Sequence, residues 1–411
     1  MSIFETVQSI LFSPIRFRSP VCFGPGDPTE KIQSEETMSS NSGDALKWLL
    51  NFRKDMWGKS VFRTIAGDNK PKFIHYGSPN KVYMMTQEVF NERDHWYVLG
   101  DIHGDFFALY SAIQYIRDLH VDDKNKFGII FLGDLIDRGP HPMECLWYLL
   151  RISQLHPEQV LWIAGNHDIA FSHNEEENCF ASSVSPAEFL DCLNNSTIES
   201  KYKDFGREYI ELTRDLPRAA LLPDGLLLTH GGFPLTDLQQ QLLECKDDNE
   251  KIQWLNSTAA LQDFTWTRIT SYRKKLPNRN SKGCSYGYSD FEAFCEATKD
   301  FFPAKRLVTA HEHPAGGFDL HLAWKNNPAL TLTGFGFHQN YDCAEAFSSR
   351  YRDNLIIARC RKDDIPEVIQ IPVDRQNLQE YFEAEIAPRF QDPNSDILVL
   401  EPESIVTENK S

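Results

Sequence analysis

The chain has 411 residues, 41% of them hydrophobic, and 42 Lys and Arg set against 59 Asp and Glu give a formal net charge of −17. That length can bury one large core or two small ones, and the acidic balance argues against a surface built mainly for nucleic acid or an anionic membrane. No 18 apolar residues run together, so no membrane insertion is expected.

In chain order, "ETVQSILF" predicts a short amphipathic helix, and the start lacks the basic region of a signal peptide. Residues 24–44 are polar and rich in Gly, Pro and Ser, so residues 1–45 read as an extension whose linker is partly disordered. "DALKWLLNF" predicts a helix from Asp44, and "KFIHYG" and "KVYMMT" read as a hairpin around "SPN". Residues 46–91 are therefore expected to pack as helix plus hairpin on a main domain at 92–362. In that domain "HWYVLGD", "FGIIFLGD" and "VLWIAGN" are short apolar runs, separated by "FFALYSAIQYIRDL" and "PHPMECLWYLLRI" with helical spacing. Strands alternating with helices predict a sheet covered by helices. "GLLLTH" and "RLVTAH" repeat the strand character, and residues 363–411 read as an acidic tail. Nine scattered cysteines, with no CxxC pair, read as thiols in a reducing, cytoplasmic setting.

Five of the strand-like runs end in metal-ligand residue types. They give Asp101 and His103; Asp134, with Asp137 and Arg138 after it; Asn166, His167 and Asp168; His230; and His311. In open α/β sheets, sites form outside the carboxyl ends of strands. Oxygen and imidazole donors without thiolates suit Mn²⁺, Fe or Zn²⁺. Gly100, Gly104, Gly133, Gly139 and Gly165 are read as letting tight turns approach the ions without a Cβ clash. A lone histidine after a strand is usually a cap or a satisfied core residue, and only the first three motifs lift His230 and His311 above that.

GDIHG, GDLIDRG and GNHD, in this order, resemble the phosphoprotein phosphatase (PPP) family of calcineurin-like metallophosphoesterases, and "LTHGG" and "TAHEH" sit where that family has its last two histidine ligands. The resemblance covers roughly residues 95–360. It implies the metallophosphoesterase fold, an α/β structure with a central β-sandwich flanked by helices in α/β/β/α layers. It also implies two divalent ions, Mn²⁺ before Fe or Zn²⁺. Asp101, His103 and Asp134 would hold one, and Asp134, Asn166, His230 and His311 the other, with a water bridging them as nucleophile. His167 matches the general acid, Asp137 would orient it, and Arg138 would grip phosphate oxygens together with Asn166. For the second phosphate arginine Arg268, in "FTWTR", is preferred over Arg279 or Lys282 in "NRNSKGCSYG". His313 is read as lying behind the ligands or on the surface, and Tyr341 as a residue near the site or a plain packing tyrosine.

The implied activity is phosphoric monoester hydrolysis on phosphorylated protein, at serine or threonine and conceivably tyrosine, with the N-terminal extension or the tail as the place for a regulatory partner. Two departures stand out. Ala164 occupies a position where many members have arginine, and Asp168 one where they have glutamate. GNHD is familiar from diadenosine tetraphosphatases on the same fold, so dinucleoside polyphosphate hydrolysis is the alternative. Those relatives tend to lose the aspartate that stands here as Asp137. A third reading, an inactive member serving as a scaffold, would need a lost ligand or acid, and none is missing.

Overall fold

The computed structural model describes residues 62–64, 72–73, 81–120, 126–139, 141–155, 159–194, 200–271, 274, 276–277, 282–321, 324, 327–336, 354–361, 366–373 and 378. The predicted helices at Glu5–Phe12 and from Asp44, the linker, Tyr341, Arg279 and the end of the tail lie outside them.

The strands are β1 (Phe62–Thr64), β2 (Lys72–Phe73) and β3 (Val82–Met85), followed by helix α1 (Gln87–Glu92). The three expected apolar runs form β4 (His95–Leu99), β5 (Phe127–Phe131) and β6 (Val160–Trp162), separated by α2 (Phe106–Leu119) and α3 (Pro142–Leu155). Next come the β7 (Phe171–Asn174) and β8 (Cys179–Ser182) hairpin, α4 (Glu188–Asn194) and α5 (Ser200–Asp215). The second half runs β9 (Ala219–Leu221), β10 (Leu226–Thr229), α6 (Thr236–Glu244), α7 (Asp248–Leu255), α8 (Thr258–Trp266), β11 (Arg268–Ile269), β12 (Leu276–Pro277), β13 (Cys284–Tyr286), α9 (Tyr288–Thr298) and β14 (Arg306–Thr309). It closes with β15 (Phe318–His321), β16 (Ala329–Leu332), β17 (Asn354–Cys360) and β18 (Glu367–Pro372).

Two large sheets result. One has the order β18-β17-β4-β5-β6, the other β15-β16-β14-β10-β9-β3-β1-β2. β4, β5 and β6 are mutually parallel, as are β10, β14 and β16. The strand period of two assigns the faces. Leu226, Leu228, Val308 and Leu330 turn inward to share one core with Val98, Ile130 and Ala358 of the other sheet. Leu221, Leu227, Leu307 and Ala329 turn the other way, into a second core with Phe264 of α8 and Phe291 and Phe294 of α9. Ile113 of α2 and Leu146 of α3 join the first core from the outer side of the five-stranded sheet. A one-residue slip of β10 would exchange these faces, so its register is strongly specified. This is the expected sandwich flanked by helices.

Two differences from expectation concern the edges. The runs at 72–77 and 81–86 do not pair with each other, because β1 lies between β2 and β3 and pairs antiparallel with both. The expected acidic tail contains β18, which pairs with β17 along its whole length, Asn354 opposite Pro372 through Arg359 opposite Glu367. Charge composition concealed a partly buried edge strand there. Among the described residues, no helix is long and apolar enough to cross a membrane. Six described cysteines are free thiols, three of them buried.

Candidate active site

Asp101 continues beyond β4 and bridges Thr333, just beyond β16 of the other sheet. Its carbonyl accepts the amides of Gly334 at 3.0 Å and Phe335 at 2.8 Å. The glycine before it serves this crossing rather than an ion, because a Cβ on Gly100 would run into the Leu332 carbonyl. The first strand end is also tied to the second: His103 donates its amide to Asp134 O at 2.8 Å and Gly104 to Leu135 O at 2.9 Å.

His103, Asp134, Asp137, Arg138 and His311 all have positive φ, between 46° and 66°. Non-glycine residues in this region cost of order 1 kcal/mol or more each, and they persist only where the surroundings over-determine them. Here the surroundings are two closely packed sheets and a dense set of hydrogen bonds.

Asp134 occupies the centre. Its Oδ1 accepts the His167 amide at 2.8 Å, while its Oδ2 lies 3.4 Å from His230 Nε2 and 3.6 Å from His103 Nε2. Both histidines have their tautomer fixed from behind. His103 Nδ1 donates to Ile136 O and His230 Nδ1 to Leu132 O, each at 2.9 Å, which leaves Nε2 as the ligand atom. His230 Nε2 lies 2.9 Å from Asn166 Oδ1 and 3.1 Å from His311 Nδ1. His311 donates its amide to Asp101 Oδ1 at 3.1 Å. The Nε2 atoms of His103 and His311 are buried with no hydrogen-bond partner among the described residues.

The donors fall into groups able to hold an ion, with ligand atoms within 4.8 Å of one another: Asp101, His103 and His313; His103, Asp134 and His167; Asp134, His230 and His311. An orphaned, buried His103 Nε2 beside the central carboxylate, and two imidazole nitrogens, His230 Nε2 and His311 Nδ1, turned to each other at 3.1 Å, are what a pair of divalent cations would satisfy, so the residues fit such ions. Protonation points the same way. Burial, with Arg138 against His103 and His230 against His311, holds both imidazoles well below the ordinary range, in the neutral form that a ligand needs. Burial opposes a charge on Asp134, but His230 and His167 outweigh it and keep the carboxyl well below its usual value.

The acid and the phosphate grips lie alongside. His167 Nδ1 donates to Asp137 Oδ2 at 2.6 Å, and its ring meets the His103 ring at a centroid distance of 4.9 Å. Burial works against a proton on His167, yet Asp134 and then the Asp137 hydrogen bond prevail and raise it. Arg138 has its Nε buried without a partner among the described residues. Arg268 starts β11 and donates Nη1 to Glu312 Oε1 at 2.7 Å and to His311 O at 3.4 Å, which places it against the loop of the ligand histidines. Lys282 lies 5.0 Å over the Trp266 ring, itself 6.1 Å from His311.

Two residues gain roles that the sequence reading did not give them. His313 Nε2 meets Asp101 Oδ2 at 2.8 Å, behind that carboxylate, and it also groups with Asp101 and His103 in a set able to hold an ion. The alternation HxH was the available signal. Asp168, read only as a departure from a pattern, accepts the amides of Asp134 at 2.8 Å, Leu135 at 3.1 Å and Gly165 at 2.9 Å. It therefore ties the second strand end to the third. Burial, then the charge of Asp134, pushes its carboxyl up to about 6. Ala164 is fully buried, so no phosphate contact arises from it.

Gly165 is the close approach with most at stake, because a Cβ there would strike Asp134 Oδ1 and Asp134 N. Gly165→Ala is expected to displace the central carboxylate and lower the bound metal to below one ion per chain, read by elemental analysis, with a circular dichroism spectrum that stays folded.

A family model described as calcineurin-like phosphoesterase matches residues 96–315, over half of the chain. The chain is 24% identical over 260 residues to the serine/threonine-protein phosphatase 2B catalytic subunit A2 of Saccharomyces cerevisiae, covering 57% of this chain and 39% of that protein. It is 24% identical over 228 residues to serine/threonine-protein phosphatase T of Schizosaccharomyces pombe, covering 54% and 42%. The matches thus span about two fifths of the length of these curated relatives. Among solved structures, a protein serine/threonine phosphatase from Saccharomyces cerevisiae superimposes with a TM-score of 0.51 at 16% identity, over 82% of this chain and 90% of that one. That likeness concerns the fold.

Proposed function

The chain belongs to the calcineurin-like phosphoesterase family, and we propose that within it this protein is a protein phosphatase that hydrolyses phosphoserine or phosphothreonine monoesters. The observation that carries the reading is the 2.6 Å pair of His167 and Asp137, set directly beside the central carboxylate Asp134 and followed by Arg138. The serine/threonine phosphatases among the relatives support it.

In this reading Asp101, His103, His313 and Asp134 would hold one divalent ion, and Asp134, Asn166, His230 and His311 the other, Mn²⁺ fitting these donors first and Fe or Zn²⁺ next. When bound, such ions lower the pKa of a water and neutralise phosphoryl charge. The protein supplies the rest. Arg138 offers a buried, unpartnered Nε–H for a phosphate oxygen, in the planar fork that matches phosphate geometry. Arg268 approaches from the His311 side and would hold a second oxygen. His167 would give its proton to the departing serine or threonine oxygen, and the Asp137 carboxylate holds the ring by Nδ1 so that Nε2 faces outward with that proton. Because Asp137 can accept but not donate, the tautomer is fixed whatever the state of Nε2.

The experiment is a side-by-side kcat/KM comparison on phosphoserine, phosphothreonine and phosphotyrosine peptides and on diadenosine tetraphosphate. The expected order puts the two hydroxyl esters of serine and threonine first. A dominant rate on the dinucleotide would replace this reading with dinucleoside polyphosphate hydrolysis, and no turnover with less than one metal per chain would replace it with a scaffold.

A further inference from the structure

Two consecutive residues of the turn that carries the acid's partner and the phosphate arginine are clasped by two consecutive residues of one helix, 50 positions or more further along the chain. The Arg138 amide donates to Glu188 Oε2 at 2.8 Å, and Asp137 Oδ1 accepts the Phe189 amide at 2.9 Å. The turn needs such a hold. Asp137 and Arg138 have φ of 65° and 66°, and neither is glycine, so their local preference is to leave this conformation. Where Arg138's side chain points depends directly on that φ, since rotating the backbone swings Cβ and everything beyond it.

Helix α4 is in turn fixed from two sides. The Phe189 ring packs edge-on against Phe171 of β7 at 5.6 Å and Tyr209 of α5 at 5.2 Å. At its other end the Asn194 side chain accepts the Phe180 amide and donates to the Phe180 carbonyl of β8, both at 2.7 Å. Residues 171–194, which carry no motif, therefore form a packed arm whose tip touches the turn of Asp137 and Arg138. Arg138 itself keeps a buried Nε–H without a partner among the described residues, and its charge is felt by His103 and His167.

We propose that Glu188 is a positioning residue for phosphate binding: by accepting the Arg138 amide it locks the left-handed turn that points the guanidinium at the anion. The proposal rests on the reading of Arg138 as a phosphate ligand. Asp137 is already held twice, by His167 and by Phe189, so loss of Glu188 should loosen Arg138 more than the acid pair. The defect should thus appear in phosphate affinity and KM rather than in kcat.

The test uses the full, metal-loaded chain and inorganic phosphate as the probe, its Kd read by calorimetry beside kcat and KM on an aryl phosphate. Glu188→Ala is expected to weaken phosphate binding and raise KM about 10-fold while kcat stays within about 3-fold. Glu188→Gln keeps an acceptor oxygen and is expected to restore both to within about 2-fold of wild type. Arg138→Ala, run in parallel, is expected to weaken phosphate binding at least as much. If Arg138→Ala weakens it and Glu188→Ala does not, the positioning role is wrong and the Arg138 reading stands. If Arg138→Ala leaves the Kd unchanged, the Arg138 reading falls and this inference with it. A Glu188→Ala protein with lower Tm and kcat but unchanged Kd would mark a merely structural contact and overturn the proposal. Should Glu188→Ala not fold, Glu188→Asp, one methylene too short for the amide, takes its place, and equal Kd values for the Asp and Gln variants would overturn it.

Discussion

His167→Asn is expected to lower kcat on a phosphoserine peptide by about 10²–10⁴-fold, the usual worth of a positioned general acid. On an aryl phosphate with a low-pKa leaving group the same change should cost far less, because that oxygen departs without needing a proton. The contrast between substrates, rather than the size of either effect, identifies His167 as the acid. Full kcat on the phosphopeptide would remove it from that role. Asp137→Asn supplies the companion result. His167 sits above its ordinary pKa through Asp134 and the Asp137 hydrogen bond, acting against burial. An acid whose pKa is raised stays protonated to higher pH, so the basic limb of the rate profile should lie above 6.5, the ordinary imidazole value. Of the two raising partners, Asp137 is the one a bound ion leaves in place. Asp137→Asn should therefore move that limb to lower pH as well as reduce the rate, and an unmoved limb would assign it to another group.

Asp134→Asn should have the largest effect in the molecule. The carboxylate lies within 3.6 Å of ligand nitrogens from both sides and fixes the His167 amide through its other oxygen. The expected outcome is metal content falling from two ions per chain toward one or none, and a rate loss of about 10³-fold or more, since each ion is asked for several kcal/mol of charge stabilisation. The pH dependence of loading is a sharper reading. Burial opposes a proton on His230, but the neighbouring Asp134 prevails and pushes the imidazole up to about 9. Before loading, that proton competes with the ion, so apparent metal affinity should climb as pH rises from the ordinary 6.5 toward about 9. With Asp134→Asn the raising charge is gone, and the climb should shift to lower pH. Calorimetric titration with Mn²⁺ at several pH values, with proton release followed through buffers of different ionisation enthalpy, measures it. A pH-independent affinity for the unaltered protein would contradict the assignment of His230.

The strand ends were readable because each ligand follows an apolar run whose burial leaves little choice of direction. Asp101 after "WYVL", Asp134 after "IIFLG" and His230 after "LLLT" emerge where β4, β5 and β10 must stop. For His313 the HxH alternation was the one signal, and its approach to Asp101 follows a left-handed residue at His311, which no composition specifies for a histidine. Asp168 works through three backbone amides, which every residue possesses, so nothing in the sequence singles out its partners. Glu188 lies 50 residues from the amide it meets, across a helix and a hairpin that had to be placed first. At the sheet edge, "FRT" at β1 shows no alternation of its own, yet it intercepts the hairpin that local pattern predicted between its neighbours.

The six expected ligands are divided between the two sheets: Asp101, His103, Asp134 and Asn166 follow strands of the five-stranded sheet, and His230 and His311 follow strands of the eight-stranded one. Ions held in this arrangement would also be rivets across a seam. The sheets are also joined there by the Asp101–Thr333 bridge, the amides of Gly334 and Phe335, the His230–Leu132 hydrogen bond and the His311 amide on Asp101. Shear between the two layers would stretch ion-to-ligand distances before it disturbed either ladder of strands. The protein's chemistry and its mechanical stiffness would then draw on the same bonds, and chelation should soften the sandwich along this one line, leaving each sheet intact, with amide exchange at Gly334 and Phe335 rising ahead of exchange in β5 or β10.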